Sequence, residues 1–309
     1  MRYRPKRALG WLLFASLVVA LGAGCGGGKK TSSTTAPATT SSTTTSAMPG
    51  VNPKLASEVP SKDKSKGTLT VAADASYAPN EFIGSDGHTV VGMDPDLAKA
   101  LADVMGLKVK VVNATFATII PGLSSGKYDL GMSSFTDTKA RQKVVDFVTY
   151  FSAGTSFYVK ASGGPAINTL ADLCGHKVAV ERGTTQQMDA TAQSTKCKSA
   201  GKPGVTVLVF TDQSAANLAL SSGRGQVGMA DSPVAAYIVK KSNGQFKLTG
   251  KAYGTAPYGI AIPKGNGMAK PILGAVKELI ANGTYKTILT KWGIQAGAIT
   301  NPKINGATS

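Results

Sequence analysis

Two residue types that support metal chemistry are scarce: the 309 residues contain 3 Cys and 2 His. His88 and His176 lie far apart and beside no acidic cluster, so no metal site and no cofactor is expected. Acids are also few, 17 against 34 Lys and Arg, which leaves a net charge of +17. The basic excess forms no block of five or six like charges in the folded part and has no basic-aromatic motif. That argues against a nucleic-acid partner. Long apolar runs are missing as well. Ala8 to Leu21 spans fourteen residues, short of the about 18–20 that a membrane-spanning helix needs.

What that run does have is a positive leader. Arg2, Arg4, Lys6 and Arg7 precede it and small residues follow, so residues 1–24 read as a removable export signal. Leu21-Gly-Ala-Gly-Cys25 resembles a bacterial lipobox, with Gly22 where a large aliphatic residue is usual. The resemblance makes Cys25 the lipidated N-terminus and the lipid the route to the membrane. The alternatives are an ordinary cleaved signal and an uncleaved anchor. Each places the rest of the chain outside the cytoplasm. Residues 25–66, rich in Gly, Ser, Thr, Lys and Pro, read as a disordered tether. Removing the four positive charges of the signal leaves +13, and the six Lys and two acids of the tether leave about +9. Such a basic exterior suits an anionic envelope.

Export also frames the cysteines. With Cys25 assigned to lipid, Cys174 and Cys197 remain to pair in an oxidising compartment. A disulfide across that separation is worth about 3 kcal/mol on the chain-entropy model. The alternative is two free thiols.

From Leu69 the chain alternates short β-branched runs with amphipathic stretches. Leu69–Ala73 and Lys108–Val112 read as strands, Asp94–Met105 and Phe116–Leu123 as helices, the latter stopped at Gly126. This rhythm indicates an α/β fold. Residues 123–132, Leu-Ser-Ser-Gly-Lys-Tyr-Asp-Leu-Gly-Met, return as residues 220–229, Leu-Ser-Ser-Gly-Arg-Gly-Gln-Val-Gly-Met. Val71-Ala-Ala-Asp74 has a weaker counterpart in Val178-Ala-Val-Glu181. Two similar α/β lobes explain both. Ligands of open α/β sheets sit beyond the carboxyl ends of the strands. Facing lobes would therefore aim Asp74, Ser133, Ser134, Glu181 and Asp231 into one cleft.

Arg141 follows a strand end and opens a helix; its planar fork suits a carboxylate. Hydroxyls and helix-start amides at Ser134 and Thr136 would complete an anion site. The competing reading is a surface arginine. Asp231 precedes Ser-Pro, which makes it a good N-cap, or else an anion for a ligand ammonium group. Thr184 and Thr185, in Gly183-Thr-Thr-Gln186, are either caps or a second hold on a carboxylate.

These pieces, in order, resemble the bacterial extracellular solute-binding proteins of family 3, the polar amino-acid binding components of ABC importers. The resemblance runs from about Gly67 to Ile294. It rests on Val91-Gly-Met-Asp-Pro-Asp-Leu97, Ile120–Asp129, Thr138-Lys-Ala-Arg141, Val145-Asp-Phe147, Arg182–Gln186, Asn282-Gly-Thr-Tyr285 and Lys291-Trp-Gly293. It implies a two-lobed periplasmic-binding-protein-like (type II) α/β fold. Lobe 1 would comprise residues 67–156 and 257–296, lobe 2 residues 157–256, and residues 297–309 a C-terminal tail. The chain would hinge near 153–160 and 253–260. The resemblance also implies roles. Arg141, helped by Thr136 and Thr185, would hold an α-carboxylate, and Asp231, helped by Ser134, an α-ammonium. Tyr77 and Phe116 would wall the ligand side chain, with Asp74 and Glu181 facing its end and favouring a basic amino acid over a neutral polar one. The implied partners are a small-molecule amino acid and a membrane permease, and the expected state is a monomer without catalytic residues. The competing classes are a dehydratase-like enzyme on the same fold, with Glu181 as general acid, and a sensor for a membrane signalling partner.

Overall fold

The computed structural model describes residues 50–307, so the export segment, Cys25 and most of the tether lie outside the described residues. Two short helices come first, α1 (Pro53–Glu58) and α2 (Ser61–Lys66). They correct the reading of residues 25–66 as disordered tether throughout. Asn52 Oδ1 accepts from the Lys54 and Leu55 amides at 3.1 and 3.3 Å and starts α1. Leu55 and Val59 then bury themselves in the core of the following domain. Two apolar side chains and one cap fold what composition alone leaves unfolded.

The next elements build the first lobe: β1 (Thr68–Ala73), β2 (Ser76–Tyr77), β3 (Glu81–Ile83), β4 (Val90–Val91), α3 (Met93–Val104), β5 (Lys108–Asn113), α4 (Phe116–Ser124), β6 (Leu130–Gly131) and α5 (Lys139–Gln142). A long strand, β7 (Val145–Lys160), leads into the second lobe. That lobe holds β8 (Lys177–Glu181), α6 (Thr185–Ser199), β9 (Thr206–Phe210), α7 (Gln213–Ser221), β10 (Val227–Asp231) and α8 (Ser232–Lys241). The equally long β11 (Phe246–Pro263) returns to the first lobe, which α9 (Ala269–Ala281) and α10 (Thr284–Trp292) complete.

The strands lie in the order β5-β1-β6-β11-β7-β10-β8-β9, with β2-β3-β4 as a separate small sheet. β1 is parallel to β5 and β6, and β8 is parallel to β9 and β10. Two parallel halves are thus joined by the antiparallel pair β7–β11, whose register slips at Thr249/Tyr253, Tyr253/Ala256 and Tyr258/Gly259. Two of these slips fall within the segment 253–260 where a hinge was expected. Bulges of this kind bend a ladder and interrupt its pairing.

The repeat is structural. α4 and α7 begin at 116 and 213 and end at 124 and 221, and Gly126 and Gly223 follow with φ of +74° and +76°. These are left-handed residues that end a helix at little cost in glycine. β6 and β10 then begin at 130 and 227, so both helix ends, the glycines and the strand starts are displaced by the same 97 residues. Cys174 and Cys197 are disulfide-bonded and tie α6 to the turn before β8. Beyond α10 the tail lies along β7: Asn305 pairs with Phe147 at 2.8 and 2.9 Å and Lys303 with Thr149 at 2.8 and 2.9 Å.

Candidate functional site

A narrow gap, with a cavity volume of about 20 Å³, separates the carboxyl ends of the two half-sheets. Its lining comes from both lobes: Tyr77, Phe116, Ser134, Thr136 and Arg141 from the first, Thr184, Thr185, Gln186, Gln213 and Asp231 from the second. Eight of the eleven expected site residues therefore meet here. Ser133, Asp74 and Glu181 do not line it; they lie behind it, at 0%, 3% and 1% exposure.

Arg141 is no surface arginine. Thr138 caps α5 by accepting from the Arg141 amide at 3.2 Å, which turns the side chain into the gap. Its guanidinium donates to the Thr136 carbonyl at 2.8 Å and to the Gly183 carbonyl, across the gap, at 3.0 Å. It also stacks over Phe116 and Phe135 at 5.2 and 5.4 Å. No carboxylate pairs with it among the described residues. Burial lowers its pKa to about 10, so it stays charged at neutral pH.

Asp231 stands at the N-cap of α8, but its side chain makes no capping bond to the helix. Instead Oδ1 accepts from Gln186 Nε2 and Oδ2 from Tyr258 Oη, each at 2.7 Å. Burial raises its pKa to about 6. It is ionised at neutral pH and keeps acceptor capacity on both oxygens. Gln186 in turn donates to Thr155 Oγ1 at 2.9 Å.

Thr184 caps α6: its hydroxyl accepts from the Gln187 amide at 3.2 Å and donates to the Glu181 carbonyl at 2.7 Å. This aims the N-terminus of a 15-residue helix, with Thr185 and Gln186 in its first turn, into the gap. Ser134 sits on the opposite wall with φ of +50°, a left-handed conformation that is strained for a non-glycine residue. It is held there from three sides: its amide donates to Asp94 Oδ2 at 3.0 Å, its hydroxyl donates to Glu81 at 3.2 Å, and Asn80 donates to that hydroxyl at 2.8 Å. Asp94 and Glu81 are fully buried, and burial raises both pKa values, with the Asp94 charge adding to the rise on Glu81.

The aromatic pair is arranged differently from two parallel walls. Tyr77 and Phe116 meet edge to face, 5.9 Å apart at 62°. Phe116 stacks on Phe135 at 4.4 Å, and the Arg141 cation lies against both. Ser133 is a scaffold residue whose hydroxyl accepts from the Asp74 amide at 2.8 Å. Asp74 caps α4, accepting from the Phe116 amide at 2.9 Å and from Ser76 Oγ at 2.6 Å. Glu181 is buried against Asp74 and the Tyr77 hydroxyl with no other polar partner, and Arg182 forms no ion pair with it. Burial and the Asp74 charge push the Glu181 pKa up to about 10.

Sequence reasoning missed Gln186, Gln213, Phe135 and Tyr258. Gln186 and Gln213 both sit in the first turn of a helix that follows a parallel strand, a position that could have been searched. Phe135 and Tyr258 are apolar-looking core residues with no such signal.

The model of the bacterial extracellular solute-binding proteins, family 3, matches residues 69–295. The arginine-binding protein ArgT of Corynebacterium glutamicum is 33% identical over 259 residues, 84% of each chain. The ABC transporter glutamine-binding protein GlnH of Bacillus subtilis is 34% identical over 209 residues, 66% of this chain and 72% of that one. Among solved structures, an ancestral arginine-binding protein bound to glutamine is 38% identical with a TM-score of 0.68, over 74% of this chain and 98% of that one. A two-lobed fold with a charged gap at the strand ends, and a family match that runs from residue 69 to residue 295, lead to one conclusion: the chain belongs to the bacterial extracellular solute-binding proteins of family 3.

Proposed function

We propose that the chain captures a polar amino acid in the gap and presents it to the membrane permease of an ABC importer. One observation carries this reading. Arg141 on the first lobe and Asp231 on the second line the same gap with opposite charges, yet they form no ion pair with each other. An α-carboxylate fits Arg141, Thr136 and the start of α6, and an α-ammonium fits Asp231 and Ser134. A zwitterion that bridges the lobes binds the closed arrangement better than the open one and shifts the population towards it. The lobes are assigned as 67–156 with 257–296, and 157–256, hinged on the β7–β11 pair.

The acids behind the gap favour a cationic side chain, Arg, Lys or ornithine, over glutamine. The relatives that bind arginine and the one that binds glutamine bracket this choice. The chain acts by binding without chemistry, as a monomer tethered outside the cytoplasm through Cys25. Calorimetric titration of the purified protein with the common amino acids and ornithine tests the proposal. One or more should bind at micromolar Kd or better, about −8 kcal/mol, and leave unchanged. Arg141→Ala and Asp231→Ala should each weaken binding at least a hundredfold, since each strands a buried charge of the ligand. No binding by a folded sample, or binding indifferent to both substitutions, defeats it.

A further inference from the structure

Asp74 and Glu181 meet behind the gap, but they come from different lobes. Asp74 follows β1 in the first and Glu181 ends β8 in the second. Asp74 is engaged on both oxygens, by Ser76 Oγ and the Phe116 amide. The Glu181 carboxyl is buried against Asp74 and the hydroxyl of Tyr77, the other first-lobe group acting on it, with no other polar partner.

The groups that bear on Glu181 can be named element by element. Asp74 faces it from the end of β1, Tyr77 from β2 and Asp212 from the start of α7. Tyr158 faces it from β7, with its hydroxyl already engaged by Gln213 and Asn217 at 2.8 and 2.6 Å. Arg182, next in the chain, is exposed. Lys127 lines a polar recess of about 520 Å³ on the outer side of Asp74, beside Asp212. No salt bridge among the described residues reaches Asp74 or Glu181.

Two carboxylates buried side by side without a cation cannot both stay ionised. We propose that Asp74 and Glu181 gate lobe closure: the lobes close over a neutral ligand only with uptake of one proton by the pair, whereas a cationic ligand side chain takes the place of that proton. The proposal rests on the amino-acid reading of the gap. In the closed arrangement burial and Asp74 hold Glu181 protonated at neutral pH. With the lobes apart, Glu181 faces water and returns towards its ordinary value of 4.5, so it is ionised. Closing then draws one proton from solvent, by way of the recess beside Asp74. A guanidinium or ammonium between the two carboxylates and Tyr77 Oη supplies the positive charge directly and satisfies all three oxygen sites. The gate therefore sets specificity through pH: binding of a neutral ligand weakens as pH rises, and binding of a cationic one does not.

The test is calorimetry of the wild-type protein with L-arginine and L-glutamine, near pH 7.5, in phosphate and in Tris buffer. Glutamine should take up close to one proton more per ligand than arginine. The arginine-to-glutamine affinity ratio should grow between about pH 6.5 and 8.5, approaching tenfold per pH unit. Arg141, Asp231 and the ligand α-groups are common to both titrations, so the ratio isolates the acid pair. Glu181→Gln should flatten the ratio and equalise the proton counts. Equal proton counts in wild type, or a slope that survives Glu181→Gln, overturn the gate. Failure of both ligands to bind would count against the amino-acid reading instead, and the gate has a ligand-free readout. By small-angle scattering, the wild-type radius of gyration should shrink on acidification from about pH 8 to pH 5, and that of Glu181→Gln should not change with pH. A wild-type radius that ignores pH, or a Glu181→Gln protein that still follows it, overturns the proposal.

Discussion

Ser134 shows how single residues are constrained for binding. Its left-handed backbone is tolerated because Asp94, Glu81 and Asn80 hold its amide and hydroxyl. The cost is a buried carboxyl pair that must carry protons. Glu81 holds its proton well above the usual carboxylate range, through burial first and the Asp94 charge second. The unfolded chain releases that proton near 4.5, so from there upward the folded state binds more protons than the unfolded one. Stability from this pair is therefore full in acid and lost as pH rises, at up to about 1.4 kcal/mol per pH unit per proton. Denaturant titrations should show Glu81→Gln losing less stability than wild type between about pH 5 and 8. Equal slopes would remove Glu81 from the pH dependence. None of this was legible in the chain, because Asp94 and Glu81 lie 40 and 53 residues from Ser134. Arg141 and Asp231 were singled out from motif and charge, and both line the gap.

Elements were more legible than the contacts between them. The repeat pointed to α4 and α7, because a glycine that must adopt positive φ follows each of them, and the sequence reading ended α4 one residue early. The helices α1 and α2 were missed, because their stability comes from a distant partner. Leu55 is 7% exposed and sits over Gly274 of α9, where any Cβ would meet Leu55 Cδ2 at 2.5 Å. The notch exists only because position 274 lacks a side chain. Leu55→Ala should cost about 2–5 kcal/mol in guanidinium unfolding, with ligand affinity unchanged. A loss below about 1 kcal/mol would show that α1 merely rests on the surface.

Across the whole molecule, the lobes touch through both polar and aromatic contacts. Ser76 Oγ accepts from the Gln213 amide at 3.1 Å, Arg141 reaches the Gly183 carbonyl, and Phe82 meets Tyr237 at 6.3 Å between ring centroids. Gly183 also packs closely on the first lobe: its φ is +81°, and a Cβ there would lie 3.3 Å from Ala117 Cβ on the opposite lobe. Gly183→Ala should strain the turn and prop the lobes apart. All ligands should then bind roughly tenfold more weakly or worse, for a cost of about 1–3 kcal/mol, and scattering should show a wider protein with ligand present. Undiminished binding would mean that closure does not bring these surfaces together. The two-lobed plan was readable from the repeat and the motif order, whereas the closed contacts depend on residues such as Phe82 and Tyr237 that carry no signal of their own.

The central claim is that one zwitterion spans Arg141 and Asp231. The most direct measurement compares calorimetric Kd values for arginine, agmatine, which lacks the α-carboxylate, and Nα-acetylarginine, which lacks the α-ammonium. If arginine proves not to be the ligand, the same pair of analogues of the amino acid that binds is used. Each analogue strands one charged partner in the gap, at about 2–5 kcal/mol, and should bind at least about thirtyfold more weakly than the parent. An analogue that binds as tightly as its parent would contradict the account.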